Sequence, residues 1–283
     1  MKLTEINIRD PFVLFENNKY YLYGTRAKNF GKFVDGFDVY ISDNLIDFSK
    51  PYQCFDSEKY GLNNEVCWAP EVHKYDGSYY MLATFTGKNG LRGTYILKSD
   101  SPEGPFVPHS NKPLTPEGWE CLDGTLYIDR NGDPYLIFCH EHTQIIDGTI
   151  CYVRLNDDLT NAISEPIELF AASQPYYIEK LPEGEHYITD GPFMYRTKNG
   201  ELLLIWSTFI NDKYAQCIAK SDNGEITGKF VHLPPLITDD GGHGMIFKAN
   251  DKLLLTFHSP NKTNFERPIF KELEDTGETI KLK

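Results

Sequence analysis

Acid–base chemistry could come from three aspartates that begin similar segments of the sequence. Asp10, Asp123 and Asp190 are each followed by Pro or Gly and then by a run of aromatic and aliphatic residues. Segments of the same kind begin at Ala69 and His243. Carboxyl groups crowded into one volume raise one another's pKa, and different surroundings can divide them into an ionised base and a protonated acid. These residues would form such a group if the fold brings the five segments together.

The elements that must position these residues are repeated strand pairs. Each segment contains a short strand, a polar or Gly-containing turn and a second strand rich in Tyr, Leu and Phe, starting near residues 10, 69, 123, 190 and 243. A weaker pattern of two further strands follows each pair, as in VYISDNLIDF and CIAKSDNGEITGKF. Four antiparallel strands per repeat are typical of a propeller blade. The sequence therefore predicts an all-β, five-bladed β-propeller that forms one domain over residues 1–283, rather than two domains or a sandwich.

The repeat pattern also predicts where the leading residues meet. The first strand of each blade lines the central channel, so the five leading residues should lie at one mouth of it. An Asp before Pro or Gly is often only a turn residue. A turn would need Asp in every copy, however, and two copies carry Ala69 and His243 instead. The pattern favours a functional cluster, and two carboxyl groups of unlike pKa are what hydrolysis of a glycosidic bond requires.

Charge and composition argue against several classes of partner. Lys and Arg total 28 against 41 Asp and Glu, a net charge of -13, which disfavours nucleic acid and anionic membranes as partners. The longest apolar stretches are too short to span a membrane. The N-terminus, MKLTEINIRDPF, lacks a signal-peptide pattern, and the six cysteines form no CxxC pair. We therefore expect a cytoplasmic protein with reduced thiols.

The sequence resembles glycoside hydrolase family 43 over nearly its full length. The motifs that carry the resemblance are RDPFV (9–13), WAPEV (68–72), LDGTLYIDRNGDPYL (122–136), TDGPFMYR (189–196) and GGHGMIF (241–247). The resemblance implies a five-bladed propeller enzyme acting on arabinose- or xylose-type sugar polymers. It further implies that Asp10 is the general base, which activates water for a single inverting step. Asp123 would be the carboxylate that orients the acid and tunes its pKa.

The position of the acid departs from the family pattern. The family usually has Glu-Gly-Pro, and this chain has Asp190 followed by Gly and Pro. Aspartate is one methylene shorter, so its proton would lie about 1 Å further back, a displacement that can cost about a hundredfold in rate. Three interpretations remain open. Asp190 is the acid of a remodelled site, Glu141 of the HEH motif replaces it, or the protein has lost hydrolysis and only binds sugar. We expect the first.

The same repeat geometry indicates residues around the mouth. The sugar-binding candidates stand at the ends of return strands, just ahead of a blade or at the start of a third strand: Arg26, Trp68, Phe85, His140, Glu141, Phe209, His258 and Arg267. The resemblance implies a calcium ion in the central channel near His243, although imidazole is an unusual calcium ligand. No organic cofactor is expected.

The expected activity is that of an inverting glycosidase that releases terminal sugars from plant-type oligosaccharides. The sugar expected first is α-L-arabinofuranosyl, and the alternatives are β-xylosyl and galactofuranosyl. Asp10 would be the base, Asp190 the acid and Asp123 the pKa modulator, with the base and acid carboxyls about 6.5–9.5 Å apart. The alternative is a carbohydrate-binding propeller without catalysis. Neither nucleic acid nor a membrane is expected as a partner.

Overall fold

Five four-stranded antiparallel sheets make up the structure, a computed structural model that describes residues 1–29 and 35–283. Within every sheet the strands lie side by side in chain order. Such sheets are the blades of a five-bladed β-propeller, and the predicted fold is confirmed. The assignment of residues 1–283 to one domain stays a prediction.

The strands of each blade share this simple order, and their bounds are as follows. Blade one contains β1 (Ile8–Glu16), β2 (Lys19–Arg26), β3 (Gly36–Ser42) and β4 (Tyr52–Asp56). Blade two contains β5 (Asn63–Tyr75), β6 (Ser78–Thr86), β7 (Arg92–Ser99) and β8 (Val107–Pro108). Blade three contains β9 (Cys121–Ile128), β10 (Pro134–His140), β11 (Thr149–Arg154) and β12 (Ile167–Ala171). Blade four contains β13 (Asp190–Arg196), β14 (Leu202–Ile210), β15 (Lys213–Ser221) and β16 (Phe230–Ile237). Blade five contains β17 (Gly242–Ala249), β18 (Lys252–Ser259), β19 (Arg267–Asp275) and β20 (Ile280–Leu282).

Helical structure is scarce in the described part of the chain. It is limited to one α-helical turn, α1 (His142–Ile145), and to 3-10 turns at Leu3–Glu5, Ala27–Asn29 and Glu58–Tyr60. Among the residues that the structure describes, no helix has the length and apolar character needed to cross a membrane.

The inner hairpins follow directly from their turn residues. Asn17 and Asn18 join β1 to β2 with φ values of 50° and 61°, and Asp76 and Gly77 join β5 to β6 with 43° and 76°. A two-residue turn whose backbone twist matches the strands needs positive φ at both positions, which Asn, Asp and Gly adopt most readily. The polar turns of blades one and two therefore dictate tight hairpins.

The hydrophobic core lies between neighbouring blades. The second strands β6 and β14 are buried along almost their whole length, because a blade packs on each of their faces. Between blades one and two, the Phe85 ring lies 5.9 Å from Phe37 and 5.6 Å from Phe55. Between blades three and four, Phe170 lies 5.2 Å from Trp206. This packing holds the blades at fixed angles around the channel.

Blade five closes the ring against the N-terminal segment. The Asn7 side chain donates to the Glu266 carbonyl at 2.8 Å. The Arg267 guanidinium donates to the carbonyls of Thr4 at 2.9 Å and Glu266 at 2.7 Å. Arg267 was predicted to contact sugar; in the structure its guanidinium takes part in ring closure, and the sugar contact stays a prediction.

Candidate active site

Every innermost strand carries the same irregularity near its start, and this irregularity positions the candidate catalytic residues. Pairing with the second strand is interrupted near the start of the inner strand and resumes three residues after the last paired residue. Such a bulge re-aims the backbone and its side chains. The residue after the break has a φ between 48° and 57° in all five blades: Asp10, Ala69, Asp123, Gly191 and His243.

Blade four differs by one residue from the predicted register. Asp190 is the last paired residue before the break, opposite Ser207, as Arg9 is in blade one. Gly191, not Asp190, therefore stands in the position of Asp10. The predicted equivalence of Asp190 and Asp10 is wrong, although the contacts of Asp190 place it in the same cluster.

Backbone N–H groups at the bulge are held by side chains of the neighbouring blade. In three blades the acceptor is a hydroxyl at the end of the preceding blade's second strand. These pairs are Ala69 with Thr25 at 2.7 Å, Asp123 with Thr84 at 3.0 Å and His243 with Ser207 at 2.7 Å. A non-glycine residue at positive φ is strained and persists only where its surroundings hold it. The hydroxyls therefore fix the direction of the axial side chains.

Asp10 is buried within a shell of donors. Its Oδ2 accepts a hydrogen bond from the Thr25 hydroxyl at 2.6 Å. Its Oδ1 lies 3.2 Å from His243 Nδ1 and 3.4 Å from Arg9 Nε, and its N–H donates to His258 Nδ1 at 3.1 Å. Burial by itself would raise the pKa of Asp10, but the charges of His243 and Arg9 and the Thr25 hydrogen bond lower it to about 2. Asp10 is therefore an ionised carboxylate.

Asp123 lies on the other side of the same imidazole. His243 Nδ1 is 3.6 Å from Asp123 Oδ2, and that oxygen accepts the Gly191 N–H at 3.0 Å. A Cβ at Gly191 would come within 2.5 Å of a His243 ring carbon, so only glycine fits between the two groups. Burial and the charge of Asp10 raise the pKa of Asp123 well above its usual range.

Asp190 has few donors around it and is partly exposed. Its Oδ2 accepts a hydrogen bond from the Tyr214 hydroxyl at 3.0 Å. Burial, followed by the charge of Asp123, raises the pKa of Asp190 to about 7, against the opposing effects of His243 and the Tyr214 hydrogen bond. A carboxyl that is protonated near neutral pH can donate a proton in catalysis.

Glu141 is buried, and side chains occupy both of its oxygens. Oε2 accepts hydrogen bonds from Arg92 at 2.7 Å and Thr143 at 3.3 Å. Oε1 lies 3.2 Å from His142 Nε2. Arg92 also donates to Glu120 at 3.0 Å, which holds its guanidinium in place. Glu141 is therefore a firmly oriented carboxylate at the edge of the acid cluster.

Two of the predicted sugar contacts remain accessible. Phe209 is 39% exposed and packs on Tyr214 with ring centroids 5.2 Å apart. Trp68 is partly exposed, and the Arg92 guanidinium lies 5.6 Å from its ring centre. Both roles stay predictions that the geometry allows.

Two other candidates are fully buried and cannot contact sugar. Phe85 packs between Phe37 and Phe55 in the core. His258 lies behind Asp10 and accepts its backbone N–H. Burial lowers the pKa of His258 to about 3, so the ring is neutral and its Nδ1 is free to accept. The predictions for Phe85 and His258 as sugar contacts are wrong.

Arg26 and His140 are engaged in local support. Arg26 forms a two-pronged ion pair with Asp38, at 2.8 and 2.6 Å. The His140 ring stacks on Trp119 at 4.1 Å and bonds Gln144 through Nε2 at 2.7 Å. Both side chains hold neighbouring residues at the mouth, and their contact with sugar stays a prediction.

Sequence reasoning missed three residues of the site. Arg9 stands in the RDPFV motif, where its neighbour Asp10 drew attention. Arg92 and Tyr214 lie near the starts of the third strands β7 and β15, and both touch a candidate acid. For Arg9 the signal was its adjacency to Asp10. Nothing in the repeat pattern distinguished Arg92 or Tyr214, because strand pairing across a blade brings them to the mouth.

His243 is the position at which the resemblance implies a calcium ion. The described residues contain no group of three or more His, Cys, Asp or Glu side chains that could hold a metal ion. The Nδ1 of His243 already faces Asp10 and Asp123. A calcium ion prefers oxygen ligands. The calcium ion therefore stays a prediction, and the proposed chemistry does not involve it.

The comparisons with known proteins agree with this architecture. The model of the family "Glycosyl hydrolases family 43" matches residues 4–277. The solved endo-arabinase of Bacteroides thetaiotaomicron VPI-5482 is 37% identical with a TM-score of 0.88, over 97% of this chain and 96% of that one. Xylosidase/arabinosidase 43A of Humicola insolens is 28% identical over 48% of this chain and 44% of that protein. A xylosidase/arabinosidase of Bacteroides ovatus is 23% identical over 63% and 60%, respectively. The chain thus spans about half the length of these two curated relatives.

Proposed function

The chain belongs to glycosyl hydrolases family 43, and from this premise we propose that it hydrolyses O-glycosidic bonds with inversion, using Asp10 as base and Asp190 as acid. One observation carries the proposal. Two aspartates of the same cluster have pKa values shifted in opposite directions, Asp10 to about 2 and Asp190 to about 7. Between these values one carboxyl is ionised while the other holds a proton, which is the state that inversion needs.

Asp10 activates the nucleophile. Its carboxylate accepts a proton from a water molecule as the water oxygen attacks the anomeric carbon. Thr25, at 2.6 Å from Oδ2, and Arg9, at 3.4 Å from Oδ1, hold the carboxylate in one orientation. A carboxylate that is held in one orientation reduces the entropic cost of aligning the base with the attacking water.

Asp190 protonates the leaving oxygen. As the glycosidic C–O bond breaks, its electron pair goes to that oxygen and the Asp190 proton follows. Afterwards Asp10 holds a proton and Asp190 is ionised, and exchange with solvent restores both. Asp123 supports this step, because its proximity raises the pKa of Asp190.

The proposed substrates are arabinose- or xylose-containing oligosaccharides, with release of terminal α-L-arabinofuranosyl units. The relatives named xylosidase/arabinosidase support this substrate class. The products formed from linear arabino-oligosaccharides test the mode of cleavage. Release of monomer alone is expected, and early release of internal fragments would replace the exo assignment with an endo one.

The leaving group distinguishes the two candidate acids. An aryl glycoside with a strongly acidic phenol needs little protonation, whereas an oligosaccharide needs an acid. We expect Asp190→Asn to lose about 10²–10⁴-fold in kcat/KM on the oligosaccharide and much less on the activated aryl glycoside. Glu141→Gln should lose similarly on both substrates, because Glu141 positions its neighbours.

Asp10→Asn is the reference variant, since loss of the base should affect both substrates alike. The reverse pattern, selective loss in Glu141→Gln and uniform loss in Asp190→Asn, would transfer the acid role to Glu141. A wild-type protein that binds these sugars and hydrolyses none of them would instead be a carbohydrate-binding propeller.

A further inference from the structure

A groove of about 510 Å³ lies on the mouth face between blades three and four. One wall is the long connection 172–189 between β12 and β13, which contributes Tyr177 and Tyr187. The other wall is the β14–β15 hairpin, which contributes Phe209 and Asn211. Its volume falls within the range of about 300–1,000 Å³ that is usual for ligand pockets. Long ordered connections of this kind commonly serve a function.

One end of the groove adjoins the proposed acid. Phe209, in its wall, packs on Tyr214 with centroids 5.2 Å apart. The Tyr214 hydroxyl donates to Asp190 at 3.0 Å. Two side-chain contacts thus lead from the groove to the carboxyl that would protonate the leaving oxygen.

The opposite wall adjoins the alternative acid. His186 also lines the groove, and its Nδ1 donates to the His142 carbonyl at 2.8 Å. His142 Nε2 lies 3.2 Å from Glu141 Oε1. The groove is therefore on the acid side of the site whichever carboxyl supplies the proton. In an inverting reaction the acid stands at the leaving group and the base on the opposite face of the sugar.

The lining suits a neutral sugar. Phe209 offers a partly exposed aromatic face, on which the C–H face of a sugar ring can pack. Asn211 and Glu179 supply an amide and a carboxylate for hydroxyl groups. The groove has acidic rather than basic side chains, which disfavours phosphate-bearing ligands.

We infer that this groove binds the sugar units on the leaving-group side of the scissile bond, with Phe209 as its stacking platform. The inference rests on the proposed function and extends it: the substrate is an oligosaccharide that is recognised beyond the cleaved linkage. Binding energy from these remote units would be used to orient the reacting bond. An aryl glycoside, which lacks them, would not benefit from the groove.

This effect is measured by a ratio of two kcat/KM values. The first is for arabino-oligosaccharides of three to five units, and the second is for an aryl arabinofuranoside. Phe209→Ala should lower the ratio about tenfold, which corresponds to a loss of roughly 1.4 kcal/mol. Phe209→Tyr keeps the aromatic face and should retain the ratio. The matched control is Phe15→Ala, since Phe15 is also an exposed phenylalanine packed on a tyrosine, Tyr20 at 4.7 Å, at a distant hairpin.

An unchanged ratio in Phe209→Ala, or an equal loss on both substrates, would overturn the inference. Titration of Asp10→Asn with the same oligosaccharides provides a second measurement that does not depend on turnover. Adding Phe209→Ala to that variant should weaken binding of the oligosaccharide about tenfold. If the wild-type protein proves inactive on every glycoside, the proposed function fails while the titration still tests the groove.

Discussion

Asp10 and Asp190 show how the same side chain acquires two chemical states. Asp10 is surrounded by a hydroxyl, a guanidinium and an imidazole, all of which favour the ionised form. Asp190 has the single hydroxyl of Tyr214 and the neighbouring carboxyl of Asp123, and there the neutral form is favoured. The proposed division into base and acid therefore follows from the surroundings of the two carboxyl groups.

The pH dependence of catalysis tests this division. Asp10 must be ionised, which holds above its pKa of about 2, and Asp190 must be protonated, which holds below its pKa of about 7. The profile of kcat/KM should therefore be flat in mildly acidic solution and fall as the pH rises through about 7. Tyr214→Phe removes a hydrogen bond that lowers the pKa of Asp190, so this variant should move the alkaline limb to higher pH.

Tyr52→Phe, at an exposed tyrosine, serves as the control and should leave the limb in place. A limb that stays fixed or moves to lower pH in Tyr214→Phe would contradict Asp190 as the acid.

At the scale of elements, the bulge at the start of each inner strand is the device that builds the site. It gives the axial residue a positive φ and turns its N–H toward the neighbouring blade. Thr84 on β6 accepts the N–H of Asp123 on β9 at 3.0 Å. Each such bond therefore connects the packing of two blades to the direction of one axial side chain.

Thr84→Val should reveal the strength of this connection. Valine has the shape of threonine but leaves the buried N–H of Asp123 without its acceptor, which costs about 1–3 kcal/mol. We expect a lower free energy of unfolding in urea and a reduced kcat, whereas Thr84→Ser should resemble the wild type.

The control is Thr125→Val, because the Thr125 hydroxyl is buried with no hydrogen-bond partner among the described residues. That substitution should be neutral or stabilising. Equal stability of Thr84→Val and Thr84→Ser would show that the interblade bond contributes nothing.

At the scale of the whole molecule, the ring is closed by side chains rather than by a shared strand. All four strands of each blade come from one continuous stretch of the chain. Blade five therefore meets blade one through contacts such as Arg267 with Thr4, at 2.9 Å, and Asn7 with Glu266, at 2.8 Å. The Arg9 guanidinium, which also contacts Asp10, lies 3.5 Å from the Glu266 carboxylate, so the ring closure and the proposed base are adjacent.

Arg267→Ala should lower the melting temperature by a few degrees, because hydrogen bonds from a charged group to two carbonyls are lost. Arg154→Ala removes an arginine from an exposed ion pair with Asp133 and should leave the melting temperature almost unchanged. Thermal unfolding followed by circular dichroism measures both variants. A similar effect of the two substitutions would mean that Arg267 is an ordinary surface residue.

Much of the fold was predictable from local sequence. Polar turns such as Asn17–Asn18 favour tight hairpins, and alternating aromatic and aliphatic runs form the strands beside them. Because these signals recur five times, they determined the number of blades. They also placed Asp10, Asp123 and His243 together, since equivalent residues of equivalent strands must meet at the channel.

The tertiary structure determined features of the site that the repeat pattern could not predict. Asp190 precedes a glycine that takes the axial position, because only a residue without a Cβ fits beside His243. Phe85 and Arg267 stand at ends of strands, and packing between blades determined that one is core and the other a closure contact. The sequence by itself determined the repeat, the strands and the presence of the acids. Which acid holds a proton depends on burial and on the neighbouring charges. Both arise only when blades that are distant in sequence meet.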